Sequence, residues 1–193
     1  MRWRHRFDMD FATVLLIGVG LAMDAFAVSV CKGLAAKNPA AKHYLAVGLW
    51  FGGFQFIMPI IGYYLGSAFY DSVSSFAYVI AVALLLIIGL NMIREALTGD
   101  GEDADSDIGI WTMFVLAVAT SIDAFAVGIS LAMESANILP SALIIGIVTF
   151  IISTAGMKMG SAAGDIVGNK AGLLGGAILI IIAAKTALEN LIL

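Results

Sequence analysis

The sequence predicts an all-α integral membrane protein whose six transmembrane helices come from two inverted three-helix repeats. Three observations carry that expectation. Of the 193 residues, 61% are hydrophobic and 12% charged, and the mean hydropathy is +1.02, a balance for which a soluble domain of this size has no surface. The apolar runs divide into six segments, each near the ~20 residues that cross a ~30 Å hydrocarbon core as a helix. One phrase recurs, "LAMDAFAVS" at Leu21 to Ser29 and "TSIDAFAVG" at Thr120 to Gly128, with one aspartate set in each apolar stretch.

The first span is expected at residues 11–33. The basic "MRWRHRFD" before it resembles the start of a signal peptide, but the apolar stretch from Phe11 to Val30 is too long for an ordinary h-region and carries Asp24, so a retained helix is expected. Met9, directly before that helix, is an alternative start. The second span, 43–66, holds Pro59, which can kink it, and the "GYYLG" pattern of Gly62 and Gly66. The third, 74–97, ends in "GLNMIREAL". After the acidic "GDGEDADSD" comes the fourth, 110–133, with the second aspartate motif. The fifth, 138–162, contains "GMKMG", where Gly156 and Gly160 repeat the small-residue packing pattern and Lys158 is expected to snorkel to the interface. The sixth, 171–193, carries Lys185 and Glu189.

The duplication extends beyond the motif. Gly52 and Gly146, Phe56 and Phe150, Gly62 and Gly156, Gly66 and Gly160, Asp71 and Asp165, and Glu95 and Glu189 are each separated by 94 residues, while Asp24 and Asp123 are separated by 99. A five-residue difference in the first loop of each half reconciles the two offsets. The chain thus divides into a first repeat at 1–98, with a basic extension at 1–8, an acidic linker at 99–109 and a second repeat at 110–193. Three spans per half is an odd number, so the halves enter the membrane from opposite sides, about a pseudo-two-fold axis in its plane. That places Asp24 and Asp123 near the midplane, where they can converge. One face of the membrane receives Lys32, Lys37, Lys42, Arg94 and Lys170, the other only Arg2, Arg4 and Arg6. The positive-inside rule puts the first group in the cytoplasm and both termini outside.

The net charge of −4 comes largely from the acidic linker and argues against nucleic acid as a partner. That linker reads as solvated chain, with a low-affinity cation funnel as the other reading. Cys31 stands alone, which rules out a disulfide framework and a thiolate cluster and suggests a packing role. Each intramembrane aspartate costs roughly 2.5–3.5 kcal/mol to insert, the signature of a residue kept to handle ions or protons. Small neighbours at helical spacing, Gly20 and Ala27 beside Asp24 and Ala119 and Ala126 beside Asp123, allow the carboxylates to meet in a protein-lined, partly wet cavity. Asp24, Asp123, the Asn91 amide and the Thr120 and Ser121 hydroxyls form a candidate oxygen set for a hard divalent cation. His5 and His43 lie outside the span centres, so a histidine-built zinc site is not available there. Met23, before one aspartate, reads as packing, since Ile122 is its counterpart. Glu95 and Glu189 read either as relay or gate carboxylates or as solvated helix ends. Lys185, equivalent to Asn91, calls for a carboxylate partner and can neutralise the site when no cation is bound.

With the paired "MDAFAVS" and "IDAFAVG" motifs, "GGFQFIMPIIGYYLGS", "NILPSALIIGIVTF" and "GLNMIREAL", the chain resembles the bacterial manganese efflux pump family (MntP) from about Met9 to its C-terminus. The resemblance implies a multi-pass inner-membrane exporter that lowers cytoplasmic manganese, with Asp24 and Asp123 essential, manganese(II) as transported substrate, no resident cofactor and the lipid bilayer as surroundings. Composition and spacing alone give only a carrier coupled to a cation or to protons. Export of another cation or of amino acids is the alternative transport reading. An intramembrane aspartyl protease is the enzymatic one, but its expected Gly-x-Gly-Asp is absent before both aspartates, so no enzyme activity is expected.

Overall fold

The structure, a computed structural model, describes residues 11–36, 39–98, 109–133, 137–167 and 171–192. Among them the backbone is helical with no strand, in six helices: α1 (Phe11–Ala35), α2 (Ala41–Thr98), α3 (Ile110–Ala119), α4 (Ile122–Met133), α5 (Ile138–Val167) and α6 (Ala171–Ile192). The basic extension, the acidic stretch 99–108, Lys37 and Lys170 lie outside the described residues, as do the side chains of Asp71, Asn91, Glu95, Asp165 and Glu189.

Six helices are present; α1, α5 and α6 match expected spans, while the other three expected spans are divided differently. The segments expected at 43–66 and 74–97 share one helix of 58 residues, α2. The sequence between them, "SAFYDSV" after Gly66, has no proline, and a single glycine costs a helix only about 1 kcal/mol, so it holds no strong helix breaker. Pro59 also sits inside α2 without breaking it. The span expected at 110–133, by contrast, is divided at Thr120 and Ser121 into α3 and α4, bent by 44°. Here hydroxyls compete with the helix ladder. Thr120 donates to the Leu116 and Ala117 carbonyls and Ser121 to the Ala117 carbonyl at 2.6 Å, while the Ala124 N–H bonds the Asp123 side chain at 2.8 Å. Such local bonds are a recognised cause of bends.

Three stretches are long and apolar enough to cross a membrane, namely α1, Ala41–Leu65 of α2 and Ile138–Gly164 of α5, and the bent α3–α4 pair makes a fourth; α6 contributes a shorter apolar run, Leu173–Lys185. Large apolar side chains such as Leu16, Leu49, Tyr64, Ile147 and Ile151 are exposed along these helices, as lipid-facing surface requires.

Packing depends on close backbone approach. α1 runs parallel to α5: Gly33 meets residues Met157 to Ser161, Gly160 meets the Val30 carbonyl and Gly164 the Leu34 carbonyl. The N-terminal part of α2 runs antiparallel to α5, with Gly48 against Phe150 and Thr154 and Gly52 against Gly146. It runs parallel to α3 and α4: Phe54 stacks edge-on to Phe114 at 5.6 Å, Gln55 reaches Thr120 and Gly62 meets the Phe125 carbonyl. The C-terminal part of α2 meets α6 at Gly89 and Gly176. Several contacts come in reciprocal pairs. Gly52 and Gly146 face one another's carbonyls, Gly52 packs on Phe150 as Gly146 packs on Phe56, and Gly62 on Phe125 is matched by Gly156 on Phe26.

The largest buried cluster, which includes Ala25, Val28, Phe51, Met113, Met157 and Leu179, draws on five of the six helices. Cys31 is buried and free, as a packing residue should be. Lys32, expected in a loop, is instead in the last turn of α1 and only 2% exposed, because α1 continues past it into the contact with α5. The loop-lysine contrast used for orientation therefore rests on the remaining basic residues. Met23 is exposed rather than packed, since the packed face of α1 is that of Ala22, Ala25 and Ser29. Lys158 is exposed, as expected.

Candidate functional site

The two motif aspartates sit in different local frames. Asp123 is in the first turn of α4, directly after the break, where a carboxylate meets the positive end of the helix dipole. One of its oxygens accepts the Ala124 N–H. Asp24 lies in the middle of unbroken α1. The sequence suggests that both are enclosed. Asp123 is half-buried, but Asp24 is exposed, because the close packing of α1 uses its other face and a side chain at Gly20 would meet nothing within 4 Å.

Thr120 and Ser121 are buried, 4% and 0% exposed. Their hydroxyl hydrogens go to carbonyls of the preceding turn, so their oxygen lone pairs remain available as acceptors. The Asn91 amide and the Glu95 and Glu189 carboxylates lie outside the described residues, while Lys185 is exposed on α6. Among the described residues no group of three or more His, Cys, Asp and Glu side chains converges on one point. Among the described residues, the other oxygens beside the Asp123 motif, those of Thr120 and Ser121, are neutral.

One residue passed over in the sequence supplies such an oxygen. Gln55 is 0% exposed, and its Nε2 donates to the Leu21 carbonyl at 3.2 Å and to the Thr120 carbonyl at 3.0 Å. Leu21 and Thr120 are 99 residues apart, each three positions before a motif aspartate. The Gln55 amide therefore ties together the two aspartate-bearing turns. The break in the second copy frees the Thr120 carbonyl for this bond, since the Ala124 N–H that would reach it in a continuous helix is on Asp123. With two carbonyls on one side of the amide, the NH2 group must face them and Oε1 must face away. Oε1 is buried and has no partner, and the same holds for the hydroxyl oxygens of Thr149 and Ser153. An unmet buried acceptor costs about 1–3 kcal/mol, so each calls for an explanation. The sequence signal was available: a glutamine in the middle of an apolar span, in "GGFQFIMP".

A family described as "Putative manganese efflux pump" matches residues 38–187. Among curated relatives, a protein of Campylobacter jejuni (strain RM1221) named "Putative manganese efflux pump MntP" is 47% identical over 184 residues, covering 95% of this chain and 98% of the relative. Relatives of the same name from Methanobrevibacter smithii and Desulfitobacterium hafniense are 48% and 44% identical; they are matched over 98% and 94% of their own lengths by 94% and 92% of this chain. No solved structure matches.

Proposed function

Because the chain belongs to the manganese efflux pump family, a family of transporters and not of enzymes, we propose that it carries manganese(II) out of the cytoplasm through a site centred on Asp24 and Asp123. The observation that carries this reading is that one buried amide, that of Gln55, joins the two turns that bear those carboxylates. Two carboxylates balance the charge of one divalent ion, and the Thr120 and Ser121 oxygens suit a hard cation. Asn91 is a further candidate ligand, with Glu95, Glu189 and Lys185 as relay or gate groups.

In this reading residues 1–98 and 110–193 are inverted repeats joined by the linker 99–109, and the chain crosses the inner membrane six times. The reciprocal glycine contacts support it. So do the helix directions: α1 is parallel to α5, α5 antiparallel to the start of α2, and that stretch parallel to α3 and α4, which sets α1 against α4. Six crossings require α2 to reverse between Leu65 and Val82. The contact register favours this. Gly89 meets Gly176 near the start of α6, and α6 begins a few residues after the end of α5. A straight α2 would carry Gly89 about 55 Å from Gly52, at 1.5 Å per residue, away from that end.

Moving a divalent ion out against an inside-negative potential costs about 4.6 kcal/mol per 100 mV. Proton exchange supplies a driving force, since carboxylates that bind the ion when ionised can return protonated. The test is manganese flux in proteoliposomes with and without an imposed proton gradient. Gradient-stimulated manganese movement is expected, with zinc and cadmium moved weakly. Equal transport of all three metals would remove the ligand argument, and indifference to the gradient would remove proton exchange.

A further inference from the structure

We infer that Gln55 is a ligand of the transported ion, its Oε1 supplying a neutral oxygen close to the two aspartate-bearing turns, with the Thr149 hydroxyl as a second neutral oxygen at the same helix crossing. The inference rests on the reading of the site as a manganese(II) path. Gln55 and Thr149 are 94 residues apart, so they are equivalent positions of the two repeats. They flank one crossing, where Gly52 and Phe56 of α2 meet Gly146 of α5. Both are fully buried, and each keeps an oxygen without a hydrogen-bond partner. The Gln55 NH2 group is fixed by the Leu21 and Thr120 carbonyls, which orients the free oxygen before any ion arrives; such preorganisation is what a coordinating side chain requires.

The chemistry also selects a neutral group here. Two carboxylates already match the charge of a divalent ion, and a third would raise affinity through its charge. A transporter must release what it binds. An amide oxygen completes the shell without adding charge, and it suits manganese or magnesium better than a soft metal.

The experiment uses the full-length protein in detergent and in proteoliposomes, with Mn2+ alone as probe. Binding is read by loss of the free-ion electron paramagnetic resonance signal and flux by uptake into vesicles. Gln55→Met keeps length but removes the amide, and is expected to weaken Mn2+ binding by about 10- to 100-fold, the range seen when metal-site partners are removed. Gln55→Glu is expected to bind at least as tightly as the parent while lowering the maximal rate, because the ion leaves slowly. Thr149→Val, nearly isosteric, separates ligation from folding and is expected to weaken Mn2+ binding at unchanged thermal stability. A purely structural amide predicts a different pattern: both Gln55 variants lose stability, and Mn2+ transport falls with no change in half-saturation. That pattern, or Mn2+ affinity unchanged in well-folded Gln55→Met and Thr149→Val, would overturn the inference and leave the manganese reading intact. Absence of Mn2+ binding and flux in the unmodified protein would overturn both.

Discussion

Asp24 and Asp123 carry the same motif but are not interchangeable. Asp123 begins a helix and already spends one oxygen on the Ala124 N–H, while Asp24 sits in an unbroken helix and is exposed. Ala at either position is expected to leave the protein in the membrane yet abolish manganese resistance in a sensitive host. Asp123→Asn is the sharper probe, because an amide oxygen can still accept the Ala124 N–H while the charge is gone. It should express and melt like the parent and fail to protect. Protection by well-expressed Asp123→Asn would show that shape, not charge, is what the site uses at that position. The motif itself was plain in the sequence, as was the oxygen character of its neighbours. Gln55 was not, because a lone glutamine reads as one more polar residue until its two bonds place it between the repeats.

At the scale of the helix, glycine spacing had more to say than hydropathy. Apolar runs separated by polar residues suggested a break near residues 67–73 and none at 120–121, and the helices follow the opposite pattern. Hydropathy measures what lipid tolerates, whereas helix continuity depends on backbone hydrogen bonding, which the Thr120–Ser121 hydroxyls perturb. The glycines, in turn, mark real crossings. A Cβ at Gly52 would come 2.8 Å from the Gly146 oxygen and the Phe150 Cβ, whereas at Gly53 it would meet nothing within 4 Å. Gly52→Ala is therefore expected to destabilise the protein by roughly 1–3 kcal/mol, the usual effect of overpacking. Gly53→Ala should be neutral or stabilising by up to about 1 kcal/mol, through helix propensity. Thermal melts of the two variants in one detergent check this, and equal melting temperatures would mean that the Gly52–Gly146 contact carries no strain.

For the whole molecule the decisive question is how many times the chain crosses the membrane, and α2 is where it is decided. The 94-residue offset and the odd number of spans per half imply six crossings with Lys42 and Leu97, near the two ends of α2, on the same side. An α2 that continues straight puts them on opposite sides, more than one bilayer thickness apart. Both residues are exposed, so each can be replaced by cysteine in a Cys31→Ala background without disturbing the core. A membrane-impermeant thiol reagent applied to right-side-out spheroplasts and to inverted vesicles should label Lys42→Cys and Leu97→Cys from the same face, the cytoplasmic one by the basic residues that flank them. Ile110→Cys, at the start of α3, should share that face, and Leu139→Cys, at the start of α5, should be labelled from the other. Labelling of positions 42 and 97 from opposite faces would remove the inverted symmetry, and with it the reason for Asp24 and Asp123 to share one ion. Agreement at all four positions would tie the reciprocal contacts of Gly52, Gly146, Gly62 and Gly156 to a two-fold axis in the membrane plane, with Gln55 where the two aspartate turns meet.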